Sequence, residues 1–306
     1  MKCLVTGGAG FIGSNLVDQL LEDGHQVVVV DNESSNNHDE SYWNENTENF
    51  YFNLSKKRNC SRLKEICETV DWVFHMAADV SIPYCIKKPS SAYLNNVSSL
   101  LNVLDAARST GVKKVVFSST AAIYGVGEIY HRRACKETDT PDPLNPYSVS
   151  KLAGEHLMKM YHSLYGIKTV SLRYFNVYGP RQPSTGQYAP VIGIFKNQKD
   201  TKRTLTIVGD GYQTRDFIHV SDVVAANIMV AEREPPSGYP YGNVYNVGTG
   251  VENSIQGIAD MISPDQIHVA PRIGEARQSV ADVDKIHEAY NWSAKVKLED
   301  WIKENV

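Results

Sequence analysis

The chain has 306 residues, 42% of them hydrophobic, enough to bury the core of one large α/β domain or of two unequal lobes. A formal charge of −4 with no basic block argues against a nucleic-acid partner, no stretch has the apolar length to cross a bilayer, and the glycines of MKCLVTGGAG interrupt any apolar signal segment. Five scattered cysteines without a C-x-x-C pair argue against a disulfide framework or a zinc site and predict a reducing, cytoplasmic setting.

Residues 2–6 are a short apolar run that predicts a buried parallel strand. TGGAGFIG follows, in which Gly8, Gly10 and Gly13 fit G-x-G-x-x-G, and Gly7, Gly10 and Gly13 fit G-x-x-G-x-x-G. Such glycines allow a tight turn, close approach of backbone to a pyrophosphate, and tight packing of helix on strand. A helix from about Ser14 to Leu21 aims its first amides at that phosphate, and Gly24 ends it. HQVVVV is the second strand, closed by Asp31, eighteen positions beyond Gly13. A carboxylate there accepts hydrogen bonds from ribose hydroxyls and repels a 2′-phosphate, which predicts NAD rather than NADP. The polar run 32–49 reads as a solvated loop.

More strand–helix units come next. WVFHMAA (72–78) reads as a strand, 90–109 as a helix, KKVVFSST (113–120) as a strand, 146–166 as a long helix stopped by Gly166, and KTVSLRYFNVYG (168–179) as a strand. This alternation predicts a doubly wound parallel sheet, with its ligand beyond the carboxyl ends of the strands. After Gly179 the chain turns rich in Pro, Gly and polar residues, and later elements are shorter; VYNVGTG (244–250) looks like a return to the sheet. The predicted division is therefore a nucleotide-binding domain of 1–178 with about 215–250, and a smaller substrate lobe of about 179–214 with 251–306.

Tyr147 and Lys151 lie four apart at the start of the long helix and share a face. An ammonium beside a phenol lowers its pKa from about 10 toward neutrality, so such a tyrosine can take a proton from a hydroxyl while hydride leaves the same carbon. A second Y-x-x-x-K, Tyr84 to Lys88, lacks this context and reads as the start of a surface helix. Thr120, at the end of the SST strand, is the candidate to share the reacting proton. Ser118 and Ser119 are open to plain strand-end capping as well.

TGGAGFIG, HMAA, SSTAAIYG, PYSVSK, LRYFNVYGPRQ, GDGYQTRDFIHVSDV and ARQSVADVDKI, in this order over nearly the whole chain, resemble the extended short-chain dehydrogenase/reductase family. Within it the likeness is to nucleotide-sugar 4-epimerases, of the UDP-glucose and UDP-N-acetylglucosamine kind. The resemblance implies a Rossmann sheet with a smaller C-terminal substrate lobe, NAD, a UDP-sugar and no metal. It assigns cofactor contacts to Gly7, Gly10, Phe11, Ile12, Gly13, Asp31, Asn32, Asn53, Leu54, Ala77, Ala78, Asn96, Ser118 and Tyr174, besides Tyr147 and Lys151. Asn176, Arg215 and Arg272 match the groups that hold the nucleotide diphosphate; Pro190 and Val191 match the uracil seat; Ser81 and Thr120 meet the sugar. It also implies a homodimer, pairing the 90–109 and 148–165 helices of two chains in a four-helix bundle.

Departures from the family pattern are Asn53 in place of an Asp, Ser99 and Leu100 in place of Gly and Thr, and most of the 32–49 loop. Where 4,6-dehydratases carry Asp-Glu, decarboxylases a Glu and 3,5-epimerising reductases a Cys, this chain has Ala121 and Ala122. Alanine moves no protons, so oxidation and reduction at one carbon remain. Ser279 stands where galactose-specific relatives have a bulky Tyr, which implies room for an N-acetyl group. The rival readings are a UDP-glucuronate 4-epimerase, which would need a cation for the C6 carboxylate, a 4-keto reductase, and a non-catalytic NAD-sensing protein.

Overall fold

A computed structural model of the chain describes residues 1–34, 40–125, 133–185, 189–271 and 277–306. The first half comprises β1 (Lys2–Thr6), α1 (Phe11–Glu22), β2 (Gln26–Asp31), β3 (Glu48–Tyr51), α2 (Cys60–Cys67), β4 (Trp72–His75), α3 (Ile82–Lys87), α4 (Pro89–Thr110) and β5 (Lys114–Thr120). Then come α5 (Pro146–Tyr165), β6 (Thr169–Tyr174), β7 (Asn176–Tyr178), α6 (Val191–Asp200), β8 (Leu205–Val208), β9 (Thr214–His219) and α7 (Val220–Glu232). The last elements are β10 (Val244–Val247), β11 (Glu252–Ser254), α8 (Ile255–Ile262), β12 (Gln266–Val269), β13 (Gln278–Ser279), α9 (Asp284–Tyr290) and α10 (Leu298–Asn305).

Seven strands form a central sheet in the order β3-β2-β1-β4-β5-β6-β10, and every pair is parallel. Both faces are covered, which is why Val27–Val30 and Val115–Phe117 are apolar without alternation and all buried. One face packs Leu16, Val17 and Leu20 of α1 with Val223 and Val230 of α7. The other packs Leu63 of α2, Leu100, Val103 and Leu104 of α4, and Met158 of α5. Ser99 and Leu100 do not loosen α4: Leu100 is fully buried, and the glycine that permits close packing is Gly154 of α5, where a Cβ would meet the Phe117 ring at 2.5 Å. No described helix is long and apolar enough to cross a membrane.

The strand order reverses at β1, so the chain leaving β1 passes to a helix on one face of the sheet and the chain leaving β4 to a helix on the other, and a crevice opens between them. Gly7 has φ +71°, and a Cβ on it would lie 2.7 Å from the Ala77 amide nitrogen. Only glycine lets the two loops nest this closely. Gly13 is tighter still, with a would-be Cβ 2.1 Å from the Gly7 carbonyl oxygen. The helix begins at Phe11, three residues before the predicted Ser14, because Phe11 and Ile12 pack on the core directly after Gly10.

Three features of the topology bear on the division. The predicted strand 168–179 is two strands: β6 stays in the central sheet, and β7 pairs with β9 in a second one of order β11-β9-β13. β9 therefore lies outside the sheet to which 215–250 was expected to belong, although α7 and β10 do return. Conversely, Ile286, Ala289, Tyr290 and Trp292 belong to the large core rather than the small lobe, since their apolar face seals α7 and β10. The small lobe has its own core of Ile192, Phe195, Leu205, Ile207, Ile258 and Ile302. Gly13→Ala should lower stability by about 1–3 kcal/mol, the usual cost of overpacking, read from urea unfolding with the far-ultraviolet spectrum unchanged.

Candidate active site

Helix α5 carries the candidate proton-transfer groups, and its start is fixed locally. Asn145 accepts from the Ser148 amide at 3.0 Å, the Ser148 hydroxyl faces back to Asn145, and Pro146 fills the first helical position. Tyr147 thus sits in the first turn and Lys151 one turn on. Lys151 is buried, and its Nζ donates to the Ser118 carbonyl at 2.6 Å and lies 3.3 Å from Ser118 Oγ. The same nitrogen is 5.9 Å from the Tyr147 ring centroid. Thr120 ends β5 on the same cavity as Tyr147, and its Oγ1 accepts from the Ala122 amide at 3.1 Å.

The electrostatics differ from the expectation that the ammonium holds the phenol near neutrality. In this chain burial dominates and pushes Tyr147 up to about 12, with the Thr120 side chain opposing it. Burial likewise pushes Lys151 down to about 7, against the pull of Glu155. The physical reason is that both groups sit in a poorly solvated part of the fold, Lys151 buried and Tyr147 half-buried, so each resists charge. Nearby His75 is also kept neutral: burial, and then Lys151, push it down to about 3. Thr6 Oγ1 and His75 Nδ1 lie 2.8 Å apart across β1 and β4.

A cavity of about 420 Å³ runs from the glycine turn to Tyr147. All the residues to which cofactor contacts were assigned line it: Gly7, Gly10, Phe11, Ile12, Gly13, Asp31, Asn32, Asn53, Leu54, Ala77, Ala78, Asn96, Ser118, Tyr147, Lys151 and Tyr174. Several have partners within the protein. Asp31 Oδ2 accepts from the Ala9 amide at 3.1 Å, and its Oδ1 accepts from the Asn32 amide at 2.7 Å. Asn53 Oδ1 accepts from the Ser55 amide at 2.8 Å and from the Ser55 hydroxyl at 2.7 Å. Asn96 is a clamp: its Oδ1 accepts from the Asp79 amide at 2.7 Å, while its Nδ2 donates to the Asp79 carbonyl at 3.1 Å and to Ser150 Oγ at 2.9 Å. Tyr174 donates to Asn227 Oδ1 at 2.8 Å.

Of the residues assigned to the substrate, Thr120 and Pro190 line the same cavity; Ser81, Asn176, Val191, Arg215 and Ser279 do not, and Arg272 lies outside the described residues. Three of them cluster on the second sheet. Ser279 of β13 is the register partner of Arg215 on β9, and Asn176 of β7 donates to the Asp216 carbonyl at 2.8 Å. Val191 opens α6, with Pro190 at its N-cap, and Ser81 holds the N-cap of α3. Tyr84 of the second Y-x-x-x-K falls on α3, and Lys88 is the residue that ends it. No cluster of described residues has the make-up of a metal site.

Two features escaped the sequence reading. Met76, Asp79, Phe175 and Val177 also line the cavity. Asp216, fully buried, accepts from the Thr249 amide and hydroxyl at 2.8 and 2.7 Å, the Gly250 amide at 2.9 Å and the Ala281 amide at 3.1 Å. A lone carboxylate inside the apolar strand RDFIH was the signal for it.

A sequence model described as the NAD dependent epimerase/dehydratase family matches residues 3–248. The UDP-glucose 4-epimerase of Mycolicibacterium smegmatis is 36% identical over 314 residues, covering 100% of this chain and 97% of that protein. The UDP-N-acetylglucosamine 4-epimerase from Methanobrevibacter ruminantium, solved with UDP-N-acetylmuramic acid, has a TM-score of 0.88 at 33% identity, covering 99% of this chain and 96% of that one. The Thermus thermophilus UDP-glucose 4-epimerase, solved with NAD, has a TM-score of 0.86 at 33% identity and covers 100% of both chains. With the glycine turn, the seven-stranded sheet and the Tyr147–Lys151 pair in place, these matches show that the chain belongs to the NAD dependent epimerase/dehydratase family.

Proposed function

We propose that this protein is an NAD-dependent UDP-hexose 4-epimerase that interconverts UDP-GlcNAc and UDP-GalNAc and also accepts UDP-Glc and UDP-Gal. The observation that carries the reading is the junction of Thr120, Tyr147 and Lys151 at one end of the cavity, followed directly by Ala121 and Ala122.

The residues fit the dinucleotide. Gly10 caps α1 without a side chain, so the first-turn amides carry no internal cap, and this helix start lines the cavity. Asp31 at the end of β2 suits the ribose hydroxyls. When bound, NAD supplies the hydride acceptor and donor for C4. Tyr147, once charged as the phenolate that a Lys151 ammonium stabilises against the burial opposing it, takes the proton of the C4 hydroxyl through Thr120, which relays it. Tyr147 gives the proton back once the 4-keto sugar has presented its other face. Asn176, Arg215 and Arg272 hold the diphosphate while the sugar turns; guanidinium forks suit phosphate oxygens.

Among the described lining residues Lys151 is the only lysine or arginine, which favours a neutral C6 hydroxymethyl over a C6 carboxylate. Ser279, small and beside Arg215, supports room for a C2 N-acetyl group. The outer faces of α4 and α5 expose Tyr93, Leu94, Val149, Leu164 and Tyr165, which supports a two-fold four-helix bundle between chains. The five free cysteines support a reducing, cytoplasmic setting.

A panel of UDP-sugars, incubated without added NAD and followed by NMR, tests the reaction. Both epimers should form from UDP-GlcNAc, and Tyr147→Phe should lose at least 100-fold in kcat, the scale of general acid–base catalysis; unchanged turnover in that variant would remove the assigned base. Ser279→Tyr should abolish turnover of the N-acetylated pair and spare UDP-Glc, and equal loss on both pairs would refute the gate. Light scattering should report a dimer for the native chain and a monomer for Leu94→Glu/Leu164→Glu, whereas a native monomer would dispose of the bundle.

A further inference from the structure

Behind the cavity, Glu155 and Arg173 form an ion pair whose side chains are only 5% and 4% exposed. Glu155 follows Lys151 by one helical turn on α5, while Arg173 lies on β6 as the register partner of Ser119 on β5. Glu155 Oε1 accepts from Ser119 Oγ at 2.5 Å and from Arg173 Nε at 2.9 Å, and its Oε2 accepts from Arg173 Nη2 at 2.8 Å. The helix therefore grips the end of β5 at two successive residues: Lys151 holds Ser118, and Glu155 holds Ser119.

Stability alone does not account for this pair. A buried ion pair is frequently no better than apolar residues of the same volume. This one is also imperfect, since Arg173 Nη1 is buried with no hydrogen-bond partner and the guanidinium lies 4.7 Å from the Tyr124 ring centroid. What the pair does supply is a fixed negative charge on the helix face that carries Lys151, whose own hydrogen-bond acceptors, the carbonyl and hydroxyl of Ser118, are neutral.

We propose that Glu155 is a positioning residue that fixes the Ser118–Ser119 end of β5 and, one helical turn from Lys151, supplies the negative charge that favours its ammonium form, with Arg173 holding the Glu155 side chain in place from β6 by two hydrogen bonds. The proposal rests on the role given to Lys151 above. Among the groups near it, burial resists charge on His75 of β4 and on Tyr147, while Lys285 of α9 and Glu137 act on each other and on the Glu155–Arg173 pair. Burial is the main influence discharging Lys151, and the influence that opposes it is the charge of Glu155.

The test follows Lys151 itself, through the 13Cε resonance of labelled lysine in the purified enzyme with its NAD, identified by its loss in Lys151→Arg. In the native protein its titration should centre near pH 7. In Glu155→Gln, and in the double variant Glu155→Gln/Arg173→Met that removes the stranded guanidinium as well, the midpoint should fall by about one unit or more, the size expected of a lost neighbouring charge. The sign follows from the ammonium being the active form: the alkaline limb of the kcat–pH profile should move down with it, while KM stays within about twofold. An unchanged midpoint in both variants, its restoration in the double variant, or a native Lys151 still charged at pH 10 would overturn the proposal. Because the resonance is read without substrate, it decides this point even if no UDP-sugar is turned over.

Discussion

A lysine taken out of water and set against a strand-end carbonyl is the constraint on which this site depends. Lys151 reaches the Ser118 carbonyl at 2.6 Å from within the protein, and a buried ammonium is costly unless its surroundings are arranged for it. The capping box at Asn145, the close contact of Gly154 with Phe117 and the Glu155–Arg173 pair all serve the same end. Each fixes the rotation of α5 on the sheet, and that rotation decides whether Tyr147 faces Thr120. The geometry of the candidate site is thus an outcome of helix-on-sheet packing.

The second constraint is the reversal of strand order at β1. It makes a crevice without any insertion, and the glycines are there because the loops leaving β1 and β4 approach closer than a side chain permits. The chain's polar groups are largely committed to one another around this crevice: Asp31 with Ala9, Asn53 with Ser55, Asn96 with Asp79. Such preorganisation leaves fewer groups to be ordered when a ligand enters.

How much of this was legible in the sequence depended on distance along the chain. The glycine turn, Asp31 and the Tyr147–Lys151 pair are local patterns, and local spacing translates directly into geometry. The small lobe was harder to read. Phe175 is buried like its neighbours, so nothing in the apolar pattern of LRYFNVYG marks where the chain leaves one sheet for another. An amphipathic stretch such as α9 likewise states that it buries a face, and not which of two cores receives it. The balance of influences on Tyr147 was hidden for a related reason. An i, i+4 spacing shows that a cation is near, but the desolvation that outweighs it is set by residues from β5, α3 and β6 that only the folded chain assembles. Arg173 and Glu155 did leave a trace, as charges inside the otherwise apolar TVSLRYF and one turn beyond Lys151.

Asp216 has a consequence for how the second sheet is held together. Its carboxylate joins β9 to the turn leaving β10 and to Ala281, and a Cβ on Gly248 would come within 2.6 Å of its Oδ2. All four donors come from segments that run straight into β11 or out of β13, the two strands that flank β9, so the carboxylate acts as a rivet of the second sheet. Its loss would loosen the seam at which β10 hands the chain over to β11.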